Sequence, residues 1–130
     1  MRRLVLCSAV VVAATSLVVA AAACVPSTSI PATCNDPTVS FSATLTATAM
    51  QPDRFEVCRD QEVTITVAAQ VGGEVHFHGY DDEIGEKEIT AGQTLTVTFK
   101  AAHPGQFPIE LHPEDGSAER EVAALVVNEP

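Results

Sequence analysis

Three of the four histidines lie in two short segments whose spacing suits a metal ion. His76 and His78 occur in EVHFHGYD, residues 74–81, and His112 ends FPIELH, residues 107–112. Residues two apart in a strand share a face, so His76 pairs with His78, and Glu110 with His112. If the two strands are neighbours, three imidazoles and a carboxylate converge. That set suits Cu(II) or Zn(II), and the Irving–Williams order favours copper.

The same histidines have a simpler interpretation. A His-x-His pair is common on the polar face of a strand, and without a third ligand it binds metal weakly. Spacing alone leaves both interpretations open. Asp81 could orient an imidazole by accepting its second N–H, or it could close an Asx-turn at the end of the strand. His103, which precedes Pro104, is expected in an exposed loop.

The sequence shows no catalytic constellation. It has no serine or cysteine in a nucleophile elbow and no glycine-rich phosphate loop. Glu110 alone does not define a general base. We therefore expect a protein that is not an enzyme.

Alternating apolar and polar residues predict the strands that would position these side chains. The clearest alternation runs through residues 39–47, where Ser and Thr separate apolar side chains. The pattern recurs at residues 63–67, 95–99 and 107–111, and residues 122–127 suit a strand covered on both faces. Turn signals separate these segments, and none has a helical period. About seven short strands indicate an all-β, Greek-key sandwich or barrel.

Together, the two histidine segments resemble those of the cupredoxin-like domain of small exported bacterial proteins. The shared features are His-x-His-Gly-Tyr-Asp at residues 76–81, Pro-Gly-x-Phe at 104–107 and Glu-Leu-His at 110–112. The match extends over residues 39–127, nearly the whole predicted domain. The resemblance implies a cupredoxin-like fold with a metal site near the histidines.

The chain departs from copper-bearing cupredoxins where those proteins supply a thiolate. By the spacing from Gly105, that position is Leu111; no cysteine follows it, and no methionine follows Met50. A blue-copper electron-transfer site requires the thiolate. The expectation that remains is a remodelled site built from His76, His78 and His112.

The first 23 residues predict an export signal, because Arg2 and Arg3 precede an apolar run that ends at Ala23. The segment resembles a bacterial lipoprotein signal, in which Cys24 would be acylated as the first mature residue. Ordinary secretory cleavage after Ala23 is the alternative. The expected location is therefore the cell membrane, through a lipid anchor, or else the periplasm or the medium.

Cys34 and Cys58 remain as an even pair in an oxidising compartment, and we expect a disulfide between them. Residues 24–37 are rich in Pro, Ser and Thr and predict a flexible, lipid-anchored linker. The folded domain is expected over residues 38–130.

The charge balance excludes some partners. Seventeen acidic against seven basic side chains give a formal net charge of -10, the wrong sign for binding nucleic acid or an anionic bilayer. The sequence is compatible with two hypotheses for the function. One is an exported domain that binds copper or another divalent metal, and the other is a metal-free β-sandwich serving as an interaction or accessory module of the cell envelope.

Overall fold

The computed structural model describes residues 29–30 and 32–130, so the predicted export signal and Cys24 lie outside the described residues. In the described part the chain forms ten strands and no helix. The strands are β1 Ser29–Ile30, β2 Thr38–Leu45, β3 Met50–Gln51, β4 Arg54–Cys58, β5 Glu62–Ala69, β6 Gly73–Phe77, β7 Glu86–Ile89, β8 Thr94–Lys100, β9 Gly105–Pro113 and β10 Arg120–Asn128. Over these residues, therefore, no helix has the length and hydrophobicity needed to cross a bilayer.

The strands form two mixed sheets that pack face to face. One sheet has the order β1-β4-β10-β9-β6-β7, and the other has the order β3-β2-β5-β8. Strands β2 and β5 are parallel, as are β4 and β10. Strand β6 is antiparallel to β7 and β9, and β9 is antiparallel to β10. The all-β prediction is confirmed. The four strands predicted from alternation correspond to β2, β5, β8 and β9, and the apolar run at residues 122–127 corresponds to β10.

Aromatic side chains join the two sheets in the core. Phe41 on β2 packs edge-on against Phe55 on β4, with ring centroids 5.3 Å apart, and Phe77 on β6 lies 6.3 Å from Phe99 on β8. All four are buried because strand alternation turns them inward. Aromatic pairs of this kind add about 0.5–1.5 kcal/mol each to the free energy gained by burying their area. The core therefore holds β6 rigidly against the opposite sheet.

Part of the segment before residue 38, the predicted start of the folded domain, contacts that domain. The predicted disulfide between Cys34 and Cys58 is confirmed and fastens the incoming chain to the end of β4. The buried Gln61 amide donates hydrogen bonds to the carbonyl oxygens of Thr33 and Asp36, and its oxygen accepts one from the Cys58 amide. In addition, β1 pairs in parallel with β4. These contacts attach the described part of residues 24–37 to β4 and to Gln61, although the composition of this segment is loop-like.

Candidate metal centre

The two histidine-bearing strands are neighbours. Strands β6 and β9 pair antiparallel, with Glu74 opposite His112 and His76 opposite Glu110. All four side chains project from the outer face of the six-stranded sheet, because the residues between them face the core. Those core residues are Val75, Phe77, Ile109 and Leu111. Pleating and register together therefore bring the two segments onto one surface.

The imidazoles lie close together on this surface. The ring centroids of His76 and His78 are 4.2 Å apart, and those of His76 and His112 are 6.2 Å apart. Their side chains are 16%, 39% and 31% exposed in the order His76, His78, His112, so part of each ring is in contact with solvent. We call these three residues, with Asp81 and Glu110, the histidine patch.

Two carboxylates of the patch are hydrogen-bonded to imidazoles. His76 Nε2 lies 2.5 Å from Asp81 Oδ1, and His78 Nε2 lies 2.7 Å from Glu110 Oε2. The hydrogen bond from His76 holds the pKa of Asp81 below its ordinary value, and the hydrogen bond from His78 does the same for the pKa of Glu110. Both carboxylates are therefore ionised at neutral pH. The predicted orienting residue Asp81 is thus within hydrogen-bond distance of His76.

His112 differs from the other two histidines. Its Nε2 is buried, and among the described residues this nitrogen has no hydrogen-bond partner. The oxygens that approach it are Glu119 Oε2 at 3.5 Å and Glu110 Oε2 at 3.9 Å. One ligand atom from each of Glu110, His112 and Glu119 lies within 4.8 Å of the other two. A buried polar atom without a hydrogen-bond partner lowers protein stability by about 1–3 kcal/mol. A metal ion or a hydrogen-bond partner at this nitrogen would therefore be favourable.

Glu119 was missed by the sequence analysis. It lies in the loop between β9 and β10, where it is one of several exposed acidic residues. Its approach to His112 depends on how that loop folds back over the sheet. No local pattern in the sequence indicates this contact.

The fourth histidine lies outside the patch. His103 occupies the loop between β8 and β9, where it is exposed and its Nε2 is 3.4 Å from Glu83 Oε1. Its backbone amide and carbonyl hydrogen-bond to the hydroxyl of the buried Tyr80. This agrees with the expectation of a loop histidine.

The patch offers nitrogen and oxygen donors. In residues 32–130 the two cysteines, Cys34 and Cys58, form the disulfide, and Met50 is fully buried on β3 in the opposite sheet. Leu111, at the position expected for a thiolate, is fully buried on the inner face of β9. The described residues therefore place no thiol or thioether at the patch.

Comparisons with known proteins rest on structure, since no family model and no curated protein matches the chain. The metal-binding domain of the Cu(I)-exporting P-type ATPase CopA of Streptococcus pneumoniae D39, solved with Cu(I), superposes with a TM-score of 0.60 at 10% identity, covering 80% of this chain and 99% of that one. A copper binding protein solved by NMR in the apo form gives 0.60 at 9% identity, covering 79% and 100%. The blue copper oxidase of Nitrosomonas europaea gives 0.56 at 18% identity, covering 71% of this chain and 39% of that one.

These identities are low, and the likeness is one of fold. The first two superpositions cover about four fifths of this chain and nearly all of the other one. This likeness confirms the fold that the resemblance of the two histidine segments implied. The folded part of this chain has a cupredoxin-like fold.

Proposed function

We propose that this domain binds a divalent transition metal ion, with copper as the first candidate and zinc as the second, for metal handling or delivery. The ligands are His76, His78, His112 and Glu110. The observation that carries the proposal is their assembly on one accessible patch, where the buried Nε2 of His112 has no hydrogen-bond partner among the described residues.

The donor set fits such an ion. Imidazole nitrogens and carboxylate oxygens are the usual ligands of Zn(II) and Cu(II), at about 2.0–2.2 Å from zinc. A cation beside Glu110 would also balance carboxylate charge in a protein with a formal net charge of -10. The hydrogen bond between His76 and Asp81 resembles the carboxylate support that orients metal-binding imidazoles.

Copper is the first metal to test for two reasons. Cu(II) binds most tightly among divalent first-row metals at a given nitrogen and oxygen site. One structurally similar protein is described as a metal-binding domain solved with Cu(I), and another as a copper binding protein. The disulfide between Cys34 and Cys58 leaves no free thiol in residues 32–130, which argues against blue-copper electron transfer. We therefore propose a binding role without catalysis.

A metal-free accessory module is the second candidate. The observation that favours it is that His76 and His78 are already hydrogen-bonded to Asp81 and Glu110, so two of the three imidazoles have partners without a metal. In this case the patch would stabilise the end of the hairpin formed by β6 and β7 or contact a protein of the cell envelope.

Calorimetric titration of the purified protein, with its disulfide intact, distinguishes these candidates. We expect Cu(II) and Zn(II) to bind the wild type and to bind His112→Ala and His76→Ala much more weakly. His103→Ala is the matched control, because it removes an imidazole outside the patch. The absence of binding to the wild type, or equal losses in all three variants, would contradict metal binding at the patch.

We also propose that the protein is exported and anchored by lipid at Cys24. The basic and apolar residues before Cys24 support export, and so does a disulfide that requires an oxidising compartment. Mass spectrometry of the mature N-terminus provides the test. Acylation should be found at Cys24, and Cys24→Ser should release the protein from membranes. An unmodified Cys24 at the N-terminus of a soluble protein would support ordinary secretion instead.

A further inference from the structure

We propose that Glu119, in the loop between β9 and β10, is a further ligand of the metal site. Together, Glu110, His112 and Glu119 make the site selective for a divalent cation. This inference rests on the proposed metal-binding function and specifies its ligand set. Neither the spacing of the histidines nor the fold assigns a role to Glu119.

The geometry supports a shared ion. Two ligand atoms that each lie about 2.1 Å from one metal are at most about 4.2 Å apart. The ligand atoms of Glu110, His112 and Glu119 already lie within 4.8 Å of one another, and Glu119 Oε2 is 3.5 Å from His112 Nε2. Small side-chain rotations therefore suffice to bring all three to coordination distance.

The loop that carries Glu119 has defined local contacts. The Ser117 amide donates to Asp115 Oδ1 at 2.9 Å, and Arg120 Nη2 donates to the Ala118 carbonyl at 3.1 Å. The first of these hydrogen bonds precedes Glu119 in the chain, and the second joins the residues on either side of it. The glutamate side chain itself is exposed and can rotate at little cost.

The charges of Glu110 and Glu119 beside His112, three residues that we call the trio, favour a cation between them. His112 Nε2 lies 3.5 Å from a carboxylate oxygen of Glu119 and 3.9 Å from one of Glu110, and neither oxygen forms a hydrogen bond with it. A cation between the two carboxylates and this nitrogen would make a favourable contact with all three. Two carboxylates neutralise a divalent ion, whereas they would leave an excess negative charge around Cu(I), which also prefers soft sulfur ligands. The trio therefore favours Zn(II) or Cu(II) over Cu(I).

Zn(II) titration of Glu119→Gln tests this assignment. Altering a residue that only supports a ligand typically costs about 10–100-fold in metal affinity, so loss of a ligand should cost about tenfold or more. The matched control is Glu62→Gln, which removes the same charge from β5 in the opposite sheet. The control should retain an affinity close to that of the wild type. X-ray absorption at the zinc edge should also show one fewer oxygen ligand in Glu119→Gln.

The outcomes separate the two proposals. Wild-type affinity in Glu119→Gln, together with lost binding in His112→Ala, would overturn the ligand role of Glu119 and leave the proposed function intact. Equal weakening by Glu119→Gln and Glu62→Gln would also overturn it, because the loss of affinity would then come from the change in net charge. A wild type that binds no metal would overturn both proposals. Tighter binding of Cu(I) than of Zn(II) and Cu(II) would overturn the proposed selectivity.

Discussion

Replacing Glu110 by glutamine separates a metal ligand from a structural ion-pair partner. Glu110 Oε2 accepts a hydrogen bond from His78 Nε2 at 2.7 Å and lies 3.9 Å from His112 Nε2. The side chains of His78 and Glu110 are 39% and 26% exposed, so solvent screens their attraction. Exposed pairs of this kind contribute about 0.2–1 kcal/mol. Because the glutamine oxygen can still accept the hydrogen bond, the loss in free energy of unfolding should be at the low end of that range.

The metal affinity should respond differently. An amide oxygen is a poorer metal ligand than a carboxylate, so Glu110→Gln should weaken Cu(II) and Zn(II) binding by about tenfold or more. The stability loss, in contrast, should shift the melting temperature by only a few degrees, since about 1 kcal/mol corresponds to 4–8 °C in a domain of this size.

Thermal unfolding in the presence of a chelator measures the change in stability, and calorimetric titration measures the change in metal affinity. Glu62→Gln on β5 of the opposite sheet is the charge-matched control and should alter neither quantity appreciably. A stability loss above about 2 kcal/mol with unchanged metal affinity would refute the reasoning, because Glu110 would then have a structural role.

Three further predictions concern stability. Replacing Cys34 and Cys58 by serine opens a loop with a sequence separation of 24 and should lower the free energy of unfolding by about 3–4 kcal/mol, measured by urea denaturation. Tyr80→Phe removes both hydrogen bonds to the His103 backbone and should cost about 1–3 kcal/mol, while metal affinity stays at the wild-type level. The lowered pKa of Asp81 adds stability above about pH 4 that is lost as the pH falls through the folded-state pKa, so the stability difference between wild type and Asp81→Asn should vanish in acid.

The fold was predictable where its signals are local. Alternation in residues 39–47 and 63–67 predicted β2 and β5, since successive side chains of a pleated strand point to opposite faces whatever the strand pairs with. The short β7, Glu86–Ile89, was not predicted because its mostly charged side chains have little strand propensity. Its pairing with β6 supplies the hydrogen bonds that make it a strand.

The candidate site was only partly predictable, because only some of its features depend on the local pattern of a strand. From the sequence alone it follows that His76 and His78 share a face, that Glu110 and His112 share a face, and that the thiolate of a blue-copper site is missing. The tertiary structure decided that β6 and β9 are neighbours in this register, that His112 Nε2 is buried without a partner among the described residues, and that Glu119 approaches it. These features depend on strand pairing and loop packing between residues distant in the chain, and the side-chain period of a single strand carries no information about them.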